Sequence, residues 1–243
     1  MLIIDCNDEA IGYMGRRPTT NTLFYIKNNG EISDHSQYNH TMSRYGTATY
    51  ETLSTWRKVA KFNWSNVVHS ANFNEANNKT TFTMHVRMKT ISTSWEASFC
   101  WWMWRNQGSS STTDRRGAKR QRDSGSSPYY IIYWPNSSNR ASNTSISITP
   151  STTKFDLFTF TVNGWTITIY KNCSKVWSRS WATIRGGSTT GTNLSYGWNY
   201  SYNGATWQLT SCYVWEIVLE DKVETMDEIQ NFYDKTKKNY WIN

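Results

Sequence analysis

The chain has 243 residues, enough for a single all-β domain of generous size. Its 14 Trp, 15 Tyr and 9 Phe make it 16% aromatic against only 18% charged, and so much ring surface has to be buried, which excludes a disordered chain. The formal charge of +8 invites a nucleic-acid or anionic-surface reading, but only if the basic residues gather on one surface.

The polar remainder is rich in Ser, Thr and Asn. Together with β-branched and aromatic residues it describes strands and turns, and it speaks against an all-α fold. No run of about 18 apolar residues is present to cross a membrane as a helix. The first residues, Met1 to Glu9, show neither a basic n-region nor a long apolar stretch, so no secretory signal is read there. Cys6, Cys100, Cys173 and Cys212 lie far apart without a C-x-x-C pair, which argues against a zinc ribbon or redox motif, and free buried thiols are expected rather than two disulfides.

In chain order, residues 1–20 read as an N-terminal arm ending near Arg16, Arg17 and Pro18, with one sandwich domain over residues 21–243. Leu23 to Lys27 reads as a strand closed by the Asn28-Asn29-Gly30 turn. In Thr81 to Lys89, Phe82, Met84, Val86 and Met88 alternate with Thr83, His85, Arg87 and Lys89, which predicts one buried and one wet face. Trp95 to Arg105 and Tyr129 to Trp134 are apolar on both faces, the mark of a central strand or of a face that binds something.

Between them, residues 107–127 are Gly- and Ser-rich and hold Arg115, Arg116, Lys119, Arg120 and Arg122, which reads as a long exposed basic loop. It has no interleaved aromatics and no helix to enter a groove, so nucleic acid is not the expected partner; an acidic protein neighbour is. Asn163-Gly164 predicts a hairpin in which Phe158, Phe160 and Val162 meet Trp165, Ile167 and Ile169 in the core. Ser195 to Asn203 sets Tyr196, Trp198, Tyr200 and Tyr202 on one face of a further strand. After a strand at Tyr213 to Leu219, Thr225 and Glu228 form a capping box that opens a helix with Ile229, Phe232 and Tyr233 on its apolar face.

Several segments resemble laminin G-like domains of the concanavalin A-like lectin/glucanase superfamily. Gly30 to Thr41 is similar to the D-S-G-N-G-H opening, with Asp34, Ser36, Asn39 and His40 matching and Gln37 and Tyr38 replacing small residues. Thr81 to Val86 resembles the F-T-hydrophobic strand. Phe158 to Lys175 resembles the V-D-G…Y-V-N-G-K hairpin, with Tyr170 and Asn172 in place and Cys173 where Gly is usual. Tyr213 to Tyr233 resembles the closing strand and helix. The resemblance implies an all-β jelly-roll sandwich of two antiparallel sheets, one of them concave, with a short C-terminal helix. Calcium binding occurs in the family, but the sequence offers no Asp/Asn-rich loop in which to place the ion, and no cofactor is expected.

The superfamily's glucanases carry E-x-D-x-E. Here Glu216 and Glu220 keep the outer carboxylates around Val218. Along a strand their Cα atoms lie about 13 Å apart, whereas retaining hydrolysis needs carboxyls about 5 Å apart. The pair therefore reads as the wet face of a strand, and no catalytic residue is assigned. His35, His40, His69 and His85 show no zinc spacing, and Asp34 and His35 read as turn residues.

What remains is aromatic surface. Trp102, Trp104, Tyr130, Trp134, Trp198, Tyr200 and Tyr202 are the candidates for stacking on a glycan or a protein partner. The expected function is a non-enzymatic virion protein of decoration or fibre type, built on a lectin-like sandwich and able to adhere to glycans. Its arm and basic segment would contact other virion proteins in an oligomeric assembly. The alternatives are a secreted extracellular carbohydrate-binding module and, third, a glycoside hydrolase.

Overall fold

A computed structural model describes residues 18–27, 30–45, 49–53, 58–63, 67–70, 74–76, 79–91, 100–105, 116–121, 129–135, 141–146, 151–164, 166–180, 192–196 and 211–237. Its strands are β1 (Thr22–Lys27), β2 (Met42–Tyr45), β3 (Thr49–Thr52), β4 (Lys58–Asn63), β5 (Val67–Ser70), β6 (Thr81–Thr90), β7 (Cys100–Arg105) and β8 (Arg116–Gln121). They continue as β9 (Tyr129–Pro135), β10 (Ala141–Ile146), β11 (Asp156–Asn163), β12 (Thr166–Lys171), β13 (Ser174–Ser180), β14 (Thr192–Tyr196) and β15 (Ser211–Glu220). A 3-10 turn, Asn74–Ala76, precedes β6, and helix α1 (Met226–Lys237) closes the described chain.

Two antiparallel sheets form the all-β sandwich. The eight-stranded sheet runs β13-β12-β11-β6-β15-β4-β3, with β1 also paired to β15; the seven-stranded sheet runs β10-β9-β8-β7-β14-β5-β2. Alternation along the strands supplies the main core. Phe82, Met84, Val86 and Met88 of β6, Phe158, Phe160 and Val162 of β11, and Ile167 and Ile169 of β12 are all buried in it. The hairpin expected at Asn163-Gly164 is present, with Gly164 at φ +54° and Asn163 paired to Thr166. Trp165 lies outside the described residues.

β15 organises its sheet. One side pairs with β6 throughout; the other pairs with β4 over Ser211–Val214 and with β1 over Glu216–Glu220. Between Val214 and Glu216 the register against β6 shifts, a bulge that reverses the parity of the strand. Cys212 and Val214 therefore enter the core before it, and Ile217 and Leu219 after it.

The predicted wet face of β6 is corrected here. Thr83, His85 and Arg87 are buried, because α1 and the segment leading into it lie on that face. The Phe232 ring stacks on His85 and packs with Tyr25, Leu157 and Val218 in a second core. His85 Nε2 meets Glu224 Oε2 at 2.8 Å, and Arg87 donates to Thr236 Oγ1. The capping box forms as read: the Thr225 N–H donates to Glu228 Oε2 at 2.9 Å and the Glu228 N–H to Thr225 Oγ1 at 3.3 Å.

The expected basic loop is corrected too. Residues 116–121 form β8, paired with β7 and β9 in the seven-stranded sheet. Turn-type composition hid it: Gly117 and Ala118 carry little strand signal, and the neighbouring strands' hydrogen bonds supply what propensity does not. Among the described residues, neither Cys173 nor Cys212 is in a disulfide. Burial and the nearby Asp234 charge push the Cys173 thiol up to about 11. Of the N-terminal arm read over residues 1–20, residues 1–17 lie outside the described residues, and the Thr19 N–H donates to Thr22 Oγ1 at 2.8 Å.

Candidate functional site

The two carboxylates of the glucanase-like strand are not on a wet face. Glu216 is 1% exposed and Glu220 is fully buried, a correction that follows from the bulge and from α1. Past the bulge, Glu216, Val218 and Glu220 share the side of β15 that α1 covers. Glu216 Oε1 lies 3.6 Å from Arg87 Nε. Glu220 accepts a hydrogen bond from Thr22 Oγ1 at 2.9 Å and from Thr19 Oγ1 at 3.5 Å. Among the described residues, both bind partners that hold β1 and β6 to the layer beside them, Glu216 through Arg87 and Glu220 through Thr22.

The Asp34 turn shows why the opening motif needs its residue types. Asp34 Oδ1 accepts the N–H groups of Tyr25 and Ser36, each at 2.9 Å. Its Oδ2 accepts Ser36 Oγ at 2.8 Å and the His40 N–H at 3.0 Å, and meets His40 Nδ1 at 2.5 Å. Asn39 takes the left-handed conformation at φ +46°, which brings His40 back to Asp34. On its other side His40 Nε2 meets Glu75 Oε2 at 2.9 Å, in the 3-10 turn before β6. Burial raises the Asp34 pKa, but the His40 side chain and the three amides outweigh it and hold the carboxyl below its usual range. Burial likewise opposes a charge on His40, yet its two carboxylate partners raise its pKa overall. The turn is thus a clamp between β1, the following loop and the 3-10 turn. Among the described residues no group of three or more His, Cys, Asp or Glu is arranged to hold a metal ion.

Strand register sorts the aromatic candidates. One unbroken row crosses the seven-stranded sheet: Ser43, His69, Ser195, Trp102, Gly117, Tyr133 and Asn143. Residues of one row share a face, as do residues two apart along a strand, so Trp104 and Lys119 belong with Trp102. The alternate row family contains Met42, Leu194, Met103, Arg116, Arg120, Tyr130 and Trp134. Met42 packs against the main core, which makes its face the inner one and the Trp102 face the outer one.

The seven candidates therefore divide. Trp102 and Trp104 occupy outer-face positions, Tyr130 and Trp134 inner-face ones, and Trp198, Tyr200 and Tyr202 lie outside the described residues. Of the basic candidates, Lys119 is on the outer face and Arg116 and Arg120 are on the inner, while Arg115 and Arg122 lie outside the described residues. Tyr133 joins Trp102 across Gly117. Composition could not pick it out, because Tyr129 to Trp134 is apolar at every position and only pairing fixes its parity.

Solved structures share this fold. Domain 4 of AbnA, a GH43 extracellular arabinanase from Geobacillus stearothermophilus, in complex with arabinotriose, superposes with a TM-score of 0.63 at 11% identity, covering 88% of this chain and 98% of that one. The binding domain of botulinum neurotoxin DC in complex with rat synaptotagmin II gives 0.62 at 10% identity, and the same domain in complex with SialylT gives 0.60 at 12%. Each of these two alignments covers 88% of this chain and 51% of the other, so the chain spans about half the length of the toxin domains it matches. No protein-family model matches the chain, and no curated protein matches it in sequence. At such identities the likeness is one of fold, that of a β-sandwich.

Proposed function

We propose that this protein is a carbohydrate-binding adhesion module acting outside the cell, with its ligand lying along the outer face of the seven-stranded sheet. The observation that carries this reading is the Trp102–Gly117–Tyr133 row. A glycine between two aromatic positions leaves a bare stretch of strand about 10 Å from one ring-bearing backbone to the other. Trp104 continues the aromatic line about 7 Å along β7. Aromatic residue types at positions of one row suit stacking on sugar faces, and His69, Ser195 and Asn143 in the same row are of types that pair with hydroxyls. Lys119 occupies a position on the same face.

The neighbours bound to arabinotriose and to SialylT support a glycan as the ligand. The virion setting draws no support from these neighbours.

The test is a glycan array followed by calorimetry on Trp102→Ala and Trp104→Ala. The expected result is a loss of tenfold or more in affinity with an unchanged melting temperature, whereas Trp134→Ala, at an inner-face position, lowers the melting temperature instead. Binding insensitive to both outer-face substitutions would refute the assignment.

A further inference from the structure

A second ring cluster lies on the outer side of the eight-stranded sheet, apart from the main core. Phe155, Tyr213 and Trp215 gather there with Val59, Leu53 and Ile91. Trp215 is brought out by the bulge of β15, stays half-buried, and meets Phe155 edge to face with centroids 5.7 Å apart at 89°. Lys89 of β6 is paired with Tyr213 in register. Its ammonium sits 4.7 Å from the Tyr213 ring centroid and 5.4 Å from that of Phe155.

The carboxylate beside this cluster is already engaged. Glu51 of β3 accepts from Tyr213 Oη at 2.8 Å and from Lys61 Nζ at 2.9 Å. Those two hydrogen bonds, Lys61's first, hold Glu51 below its usual range and so keep it ionised. Burial, and then Glu51, push the Tyr213 hydroxyl up, so it remains a donor. Among the described residues no ion pair joins Lys89 to a carboxylate. A half-exposed ammonium thus lies over two rings and acts on Glu51 only through its charge, Glu51 taking its hydrogen bonds from Lys61 and Tyr213.

We infer that this end of the sheet is a second binding site, for a carboxylate-bearing sugar whose acid group is held by Lys89 and whose ring lies against Trp215. The composition of the cluster matches that ligand: a cation for the acid, an indole for the apolar sugar face, and the Glu51–Lys61 pair at the rim for hydroxyls. The site lies on the opposite sheet from the Trp102 face and stands without it.

Calorimetry with sialyllactose, lactose and inorganic phosphate on the full chain tests the assignment. Sialyllactose is expected to bind at least tenfold more tightly than lactose. Lys89→Gln and Trp215→Ala should each cost about tenfold, Lys89→Arg should retain most of the affinity, and Trp102→Ala should leave it unchanged. Equal binding of the two sugars, or Lys89→Gln binding like the wild type with a preserved melting temperature, would overturn the inference. So would phosphate competing as well as sialyllactose, which would reduce the site to one for small anions. Loss of sialyllactose binding in Trp102→Ala alone would move the acid to the other face, overturning this site while leaving the carbohydrate-binding function intact.

Discussion

His85 and Phe232 stack with ring centroids 4.2 Å apart and planes inclined by 18°, and this contact fastens the C-terminal helix to the central strand of the eight-stranded sheet. The His85 ring is held from both ends, by Thr159 Oγ1 at 2.9 Å on Nδ1 and by Glu224 Oε2 at 2.8 Å on Nε2. Its plane is therefore set by these two partners as well as by the stacked Phe232. Phe232→Ala removes the ring that closes the second core and should destabilise the fold by about 3–5 kcal/mol. Urea unfolding monitored by tryptophan fluorescence reads this directly, and a cost below about 1 kcal/mol would mean that α1 is not an integral layer.

Burial of Glu216 beside Arg87 leads to a second expectation. Removing the carboxylate leaves a buried guanidinium with one anionic neighbour fewer, so Glu216→Ala should cost about 3–5 kcal/mol. A strand-surface glutamate would cost less than about 0.5 kcal/mol. Equilibrium denaturation of the variant separates the two cases.

The Asp34–His40–Glu75 clamp makes stability depend on pH from both sides. Asp34 has its pKa lowered in the fold, so its contribution is complete above about pH 4 and is lost as pH falls through the depressed value. His40 has its pKa raised, so its contribution is complete below about pH 6.5 and is lost as pH rises through the elevated value. The urea midpoint should therefore hold a plateau between those limits and decline beyond each. His40→Gln should remove the decline on the alkaline side; a profile unchanged there would show that His40 is not charged in the fold.

At the β12–β13 turn, Asn172 and Cys173 both have positive φ, +49° and +67°. This two-residue turn favours Asn followed by Gly, and a side chain in the left-handed region costs about 1–2 kcal/mol. Asn172 repays its own strain by accepting the Leu157 N–H at 2.8 Å and donating to Asp156 Oδ1 at 2.8 Å. Cys173 has a single weak contact, Sγ to the Ile229 carbonyl at 3.6 Å. Cys173→Gly should consequently raise stability by about 1 kcal/mol, seen as a higher melting temperature; a decrease would show that the contact to α1 outweighs the strain.

Much of the fold is legible where local pattern and tertiary role agree. The alternation in β6, the Asn163-Gly164 hairpin and the Thr225–Glu228 capping box all form where the residues place them. Elements without such a pattern, above all β8, exist because neighbours on both sides complete their hydrogen bonds, which composition does not encode. In the candidate site, Trp102 and Trp104 were readable as rings on one side of a strand, but their grouping with Tyr133 was not, since it depends on β8 lying between β7 and β9.

The sequence by itself determined an all-β sandwich with an aromatic core, a C-terminal helix and an Asp34-centred turn, because period-two alternation, turn chemistry and capping are local. Only the tertiary structure decided which polar residues are wet. One bulge at Trp215 reverses the parity of β15, and one helix lies down on the face so exposed, so Glu216, Glu220, His85 and Arg87 are buried although their spacing reads as solvent-facing. Strand pairing likewise decided which rings share the outer face, because residues far apart in sequence acquire a common side only through register.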